Sequence, residues 1–462
     1  MTPFKTPCRT PVRRPDTASG RPLRVAQALV GILVATAIAG CTQPVAAQDN
    51  WWEGITGFGT PDFSGRRAEL ERTPPKQDVV NDLRPNEVPW RSDEMLMAME
   101  RAIETYHQIV NSGGWRPIPG NRMLRPGDDD DRVPFLRRRL MATGELPRNA
   151  NATSHSFDAA LEQAVVRYQE RNGLRATGRV DQSTLAALNI SADERLQQLR
   201  LNQGRILELV QQPPEERYVL VNVPAYQLEA VERFQTVLRH RVIVGRNGRD
   251  TPSLKTNIRA LNFFPHWRVP DSIARLDVFP LLVKEPGYLD KEKIRVLQGN
   301  FNGPELDPRS IDWSQADHTM IKLRQDPGPQ NALGLVRIDM ANEHGVYMHD
   351  TPLKPLFQQR ARAFSAGCVR VQDVFELVEW LARYEPGWES PGQVQAVLDM
   401  GQPVDVKLSR PVPVYFAYIT AWAEPDGRIE FRPDIYRHDG SAMFAEVHDP
   451  DAPPMPSGGL AP

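Results

Sequence analysis

Two residues able to do nucleophilic chemistry lie close together late in the chain. His349 sits in Val346-Tyr347-Met348-His349-Asp350-Thr351-Pro352, and Cys368 follows nineteen positions later in Ser365-Ala366-Gly367-Cys368-Val369-Arg370-Val371. A thiolate attacks acyl carbons readily, and an imidazole within hydrogen-bond reach lowers the thiol pKa by stabilising the thiolate. The small residues Ser365, Ala366 and Gly367 let the backbone turn tightly, so that successive N–H groups converge near Cys368 as an oxyanion hole. If 346–349 is a strand, alternation puts Tyr347 and His349 on one face. Pro352 ends its pairing, because proline has no N–H to donate. Nineteen positions are enough chain to leave a strand and return beside it. Alternation also points Asp350 away from His349, which leaves a backbone carbonyl as the expected partner orienting the imidazole.

Competing chemistries fit less well. His344, His349 and Cys368 contain no HxxxH or CxxC pair, so neither a metal nor another cofactor is expected. A phosphatase loop needs an arginine six positions after its cysteine, where Val374 stands, and a papain-like enzyme needs a different sequence around the thiol. The acidic run Asp128 to Asp131 lacks the spacing of a calcium loop; Asp129 to Asp131 read instead as a helix N-cap and first turn. With 56 basic against 58 acidic side chains, nothing in the charge balance suggests a nucleic-acid partner.

The start of the chain sets the compartment. Lys5, Arg9, Arg13, Arg14, Arg21 and Arg24 precede an apolar run from Val25 to Ala39, the pattern of an export signal. Ile38-Ala39-Gly40-Cys41 reads as a lipobox that would acylate Cys41, and Val45-Ala46-Ala47 as an alternative cleavage site. The expectation is an exported protein, periplasmic, with an outer-membrane lipid anchor through Cys41 as one outcome. Of three cysteines, Cys8 falls in the leader, so Cys368 is the lone thiol of the mature body and has no internal disulfide partner.

Stepping along the chain gives the elements that must hold the pair. A leader over 1–47 and a Gly/Pro-rich flexible tether over 48–85 precede a helical scaffold segment at 86–127, where Met95, Met99, Ala102 and Tyr106 recur at helical spacing. Residues 128–190 form a small three-helix module with stripes at Val133/Leu136/Leu140, Phe157/Leu161/Val165/Tyr168 and Leu185/Leu188. A scaffold helix at 191–215 ends at Pro213-Pro214, and strand periodicity begins near 215. The catalytic domain is read as 216–410, with an insertion at about 266–317, then a C-terminal β segment at 411–445 and a flexible tail at 446–462. The fold class is therefore multidomain α+β.

These stretches resemble the L,D-transpeptidase (YkuD-type) catalytic domain, whose signature is a histidine followed by Ser-x-Gly-Cys-x-Arg. The YcbB-like branch is the nearer match, through His349 to Pro352, Arg362-Ala363-Phe364-Ser365, Gly367 to Val371, Trp267 to Ile273, Pro286-Gly287-Tyr288-Leu289 and Asn331-Ala332-Leu333-Gly334. Tyr168 to Leu174, Thr177 to Asp181 and Thr184 to Leu188 resemble the peptidoglycan-binding three-helix domain. The resemblance implies Cys368 as nucleophile and His349 as general base. It makes Arg370 a group that positions the turn or anchors substrate, Tyr347 a supporting or oxyanion partner, and the insertion a capping subdomain. Ala366 departs from the histidine that many members carry before Gly-Cys, so that side-chain role is lost while the backbone N–H stays available. The implied reaction links peptidoglycan stem peptides, a tetrapeptide donor and a diamino-acid acceptor, through a cysteine thioester. An L,D-carboxypeptidase, a hydrolase releasing a wall lipoprotein, and a non-catalytic wall-binding scaffold are the alternatives.

Overall fold

The computed structural model describes residues 82–317 and 319–440. The leader, Cys41, most of the tether and the tail therefore lie outside the described residues. Among those described, no helix is long and apolar enough to cross a membrane.

Helix formation follows the apolar spacing and the caps. Helix α1 (Asp93–Asn111) starts where the Ser92 side chain accepts from Met95 N, and it buries Met95, Ala98, Met99, Ala102 and Tyr106 along one stripe. The small module comprises α2 (Val133–Ala142), α3 (Ala159–Arg171) and α4 (Gln182–Leu188). Asp158 and Asp181 cap the last two of these. One core joins all three through Leu136, Leu140, Leu161, Val165, Tyr168 and Leu188, and it also takes in Ile118 and Leu124. Helix α5 (Ala192–Val210) opens on a reciprocal capping box between Ser191 and Glu194 and packs on α1. The acidic run does not cap α2. That helix has Arg132 at its N-cap position, and Asp130 instead accepts hydrogen bonds from Arg132.

Strands β1 (Arg217–Asn222), β2 (Gln227–Glu232), β3 (Gln235–Gly245), β4 (Leu254–Phe263), β9 (Val336–Met340), β10 (Met348–His349), β11 (Ala363–Ser365), β12 (Val369–Val371) and β13 (Val404–Ala417) form one sheet, ordered β11-β3-β12-β10-β9-β4-β13-β1-β2. Because β2 also pairs with β3, the sheet closes on itself as a barrel, with β11 alongside β3. Closure removes most exposed strand edges. Helices α6 (Val374–Ala382) and α7 (Gln393–Met400) follow β12, and α6 contacts β13.

The insertion is a four-stranded sheet, β5 (Trp267–Arg268), β8 (Ile321–Gln325), β6 (Ile294–Gln298) and β7 (Glu305–Leu306), in that order. A helical stretch over 271–284 accompanies it, with a π-helical turn at Ala274–Val278. It therefore runs to Gln325 rather than 317, because β8 supplies its central strand.

Two other boundaries move. Residues 82–85 are not tether: Arg84 is buried between Glu424 (2.7 Å) and Glu229 (3.3 Å), and Asp82 holds the fully buried Arg362 (2.7 Å). No boundary falls at 410, since β13 runs through it and pairs with both β1 and β4. Only the hairpin of β14 (Ala421–Ala423) and β15 (Ile429–Phe431) leaves the barrel; β14 packs on α1 and α5, and β15 contacts α3.

Candidate active site

The register of three barrel strands assembles the site. His349 stands opposite Arg370 on β12 and opposite Arg337 on β9, so these three share one face in a row. The next row holds Tyr347 and Cys368, where Val369 N donates to Tyr347 O (3.0 Å). All five side chains thus face the same side, as alternation from His349 required. The regular strand covers Met348–His349 only, shorter than the 346–349 stretch.

The imidazole is held by main chain. His349 Nδ1 lies 2.5 Å from the Asp350 carbonyl, and the Leu333 carbonyl also accepts from the ring. An Nδ1–H tautomer leaves Nε2 as the basic nitrogen. The Asp350 carboxylate points elsewhere, accepting from Leu335 N (3.0 Å) and from Lys354. Gly334 makes that packing possible: at φ +62°, an added Cβ would meet the Asp350 carboxylate at 2.3 Å.

The nucleophile's turn is equally determined. Gly367 adopts φ +118°, and Thr251 Oγ1 donates to its carbonyl (2.8 Å). Ser365 Oγ donates to Cys368 O (2.5 Å) and accepts from Gly367 N (3.1 Å). Gly367 N–H is therefore committed to Ser365 and is not open to an oxyanion. Ala366 follows Ser365 at the apex, with its N–H bonded to no group among the described residues. The donors that meet the Cys368 sulfur are the phenol and the backbone N–H of Tyr347.

Electrostatics place the pair in its neutral forms. Burial, then the Arg370 charge, push His349 down to about 3. Burial likewise pushes the Cys368 thiol up to about 11, against the opposing pull of Tyr347 hydrogen bonds and the nearby Arg370 and Arg337. The sequence led us to expect a thiol lowered by its imidazole. Among the described residues Cys368 instead has Tyr347 as its hydrogen-bonding neighbour, because the register sets Tyr347 directly opposite and His349 diagonally. The rings of Tyr347 and His349 meet edge to face at 5.7 Å. Burial also lowers Arg370, to about 10, and its Nε has no partner among the described residues.

Two contributors were not singled out as site residues in the sequence. Arg337 lies over the Tyr347 ring (5.5 Å) and is held by Asn262 and Asp339. The insertion reaches the site through Trp267, whose indole N–H donates to Tyr347. The strand alternation of 336–340 was the only available hint of the first, and the Trp267-Arg268-Val269-Pro270 motif of the second.

Comparison with known proteins gives matches to two domain families. Residues 216–406 match the family model described as "L,D-transpeptidase catalytic domain", and residues 129–188 match "Putative peptidoglycan binding domain". A curated protein of Haemophilus influenzae, "Putative L,D-transpeptidase", is 32% identical over 255 residues, covering 54% of this chain and 50% of the relative. The aligned part thus spans about half the length of that relative. Two solved L,D-transpeptidases, from Stackebrandtia nassauensis and Xylanimonas cellulosilytica, share 12% and 13% identity at TM-scores of 0.24 and 0.19. Each covers 64% of this chain, with 94% and 98% of their own lengths aligned. Residues 216–406 are thus similar to YkuD-type L,D-transpeptidase catalytic domains, and the preceding residues 129–188 to peptidoglycan-binding domains.

Proposed function

We propose that the protein forms 3→3 cross-links between peptidoglycan stem peptides through a thioester on Cys368. The observation that carries this reading is the shared face of Cys368, Tyr347, His349 and Arg370, with the imidazole fixed by the Asp350 carbonyl. The thiol rests protonated and the imidazole neutral, so His349 acts as general base rather than as half of a preformed ion pair. Cys368 Sγ attacks the carbonyl joining the L-centre of the donor's diamino acid to its terminal D-alanine, and His349 takes the thiol proton. Tyr347 and the Cys368 N–H face the oxyanion that forms. Collapse breaks the C–N bond, His349 returns the proton to the amine, D-alanine leaves and the thioester remains. An acceptor's side-chain amine, at the D-centre of its diamino acid, then attacks the thioester with His349 again as base, and the thiol is restored. No metal or other cofactor enters these steps.

The same reading places the protein outside the cytoplasm, in the periplasm, with Cys41 as an outer-membrane lipid anchor. Its partners are the donor tetrapeptide and the acceptor amine. Incubation with tetrapeptide muropeptides tests the activity. Cross-linked dimers support transpeptidation, tripeptide monomers would mean water is the acceptor, and unchanged substrate would leave a binding scaffold. Persistence of turnover in Cys368→Ala would overturn the mechanism.

A further inference from the structure

A groove of about 440 Å³ lies between the start of β3, α6 and the chain leading into α7. Trp380, Trp388, Leu238 and Val394 line it. Glu376, Glu379 and Glu389, all exposed, stand on its rim. On its β3 side, Val237 precedes Ile243, the partner of Arg370, by six positions. At the rise of a strand, that sets the groove about 20 Å along β3 from the row of the candidate active site.

Three features of this face are not explained by packing within the chain. The hairpin between β2 and β3 turns on Arg233 and Phe234, at φ +50° and +66°, a conformation that Asn and Gly adopt most easily. A phenylalanine held there and left 62% exposed adds little to the chain's own core. Val237 and Tyr384 are also exposed, at 46% and 56%. Glu232, at the base of the hairpin, accepts from the Tyr384 hydroxyl (2.7 Å) and from the Trp380 indole (3.1 Å). An apolar strip thus runs from the hairpin into the groove, and contiguous exposed strips mark interaction surfaces.

Charge in the groove is one-sided. Arg383 is the only cation that lines it, and it is committed to Glu232. Glu376, Glu379 and Glu389 meet no cation among the described residues; Glu379 and Glu389 accept only from the backbone N–H groups of Gly392 and Gly387. Arg217 and Arg233 act on Tyr384 instead, at the hairpin end. The strand edge is the third feature. Among the described residues β2 is the only strand paired with 235–240, and Val237 is the extra residue of a bulge, since Ala230 pairs with Leu238 and Val231 with Thr236. A bulge spoils an edge as the template for an added strand, which leaves recognition to side chains.

We infer that this face docks a segment of a partner protein, with an apolar side chain set against Trp380 and Trp388 and lysine or arginine side chains against the three glutamates. Tryptophan walls inside a polar rim are the anatomy of a protein interface, and the unpaired acids select a basic segment. The strip outside the groove is more than a small amine would cover, which favours a polypeptide. The inference is independent of the proposed reaction, because none of these side chains belongs to the Cys368 face.

The test places the photo-crosslinking residue p-benzoylphenylalanine at Val237 or Phe234 of the full chain, in cells that produce the protein. Irradiation should join it to a second protein species, and mass spectrometry should locate the join in a segment where an apolar residue is flanked by lysine or arginine. Adding Glu376→Lys and Glu379→Lys should lower the adduct yield at least about fivefold at unchanged melting temperature, and Glu389→Lys alone should lower it in the same direction. A synthetic peptide of the joined segment should bind the purified chain less tightly as salt rises, and about tenfold less tightly after the double charge reversal. No adduct from either position, an adduct with a second copy of this chain or with an acidic segment, or a yield indifferent to the charge reversals would overturn the inference. Absence of muropeptide turnover in the parent would count against the proposed reaction and leave this docking result standing.

Discussion

The active-site face of the barrel and the seam between barrel, scaffold and hairpin treat buried charge in opposite ways. At the seam four buried arginines meet carboxylates: Arg84 with Glu424, Arg205 with Asp439 (2.7 Å), Arg362 with Asp82 and Arg171 with Glu145. Burial pushes Glu424 upward, but Arg84 more than compensates and holds it at about 2. At the site, Arg370 has no such partner among the described residues, and burial depresses it together with His349. Paired ions fix one arrangement and are costly to break, whereas an unpaired cation raises the free energy of the empty site and is relieved when negative charge develops beside it. The seam holds shape, and the site holds electrostatic potential in reserve.

The widest separation between the two regions should come from catalysis. Cys368→Ala should reduce muropeptide turnover by at least about 10⁴-fold, and His349→Ala by about 10³-fold, with little change in the denaturation midpoint. Arg84→Ala, at the seam, should do the reverse. Leaving Glu424 and Glu229 buried without their cation should cost about 3–5 kcal/mol in chemical denaturation, while the folded fraction keeps its turnover. Arg370→Ala provides the sharpest comparison: turnover should fall about 10–100-fold at nearly unchanged stability. If it destabilises as much as Arg84→Ala, the distinction between the regions fails.

Smaller effects follow from protonation. A thiol held at about 11 should react slowly with iodoacetamide at neutral pH, its rate rising about tenfold per pH unit up to that value. Removing Arg370 should move this profile to higher pH, since its charge favours the thiolate. The base His349, at about 3, should impose no acid limb near pH 6.5 on kcat/KM. His349 and His240, the latter lowered to about 4 chiefly by burial, are neutral in the fold. Their contribution to stability is present above the unfolded value of about 6.5 and is lost as pH falls through 4 toward 3. His240→Gln should flatten the fall in melting temperature over that range.

What could be read from the sequence was local. His349, the Ser365–Arg370 turn and the helix stripes each depend on residues within one or two turns of chain, and alternation already placed Tyr347 beside His349 and Asp350 away from it. What could not be read depends on pairing across distance. Arg337 joins the site only through the β9–β10 register. The boundary expected at 410 is absent because β13 runs on through Pro411 and Pro413, with an irregularity in its pairing with β4 between Lys407 and Val412. Asp82 and Arg84 look like tether because their partners, Arg362 and Glu424, lie hundreds of residues away.

Tyr436 bears on when the candidate site is complete. Its hydroxyl donates to Gly245 O and accepts from Thr251 N (3.3 Å), bracing the loop whose Thr251 holds the Gly367 carbonyl. Strand β13, which carries β1 on one side and β4 on the other, is likewise among the last parts of the catalytic fold to be synthesised. A nascent chain that has already made Cys368 and His349 thus still lacks the strand that completes the barrel and the phenol behind the nucleophile's turn. The site is complete only once these later segments have been made and have folded onto it, which delays its chemistry beyond the synthesis of the nucleophile itself.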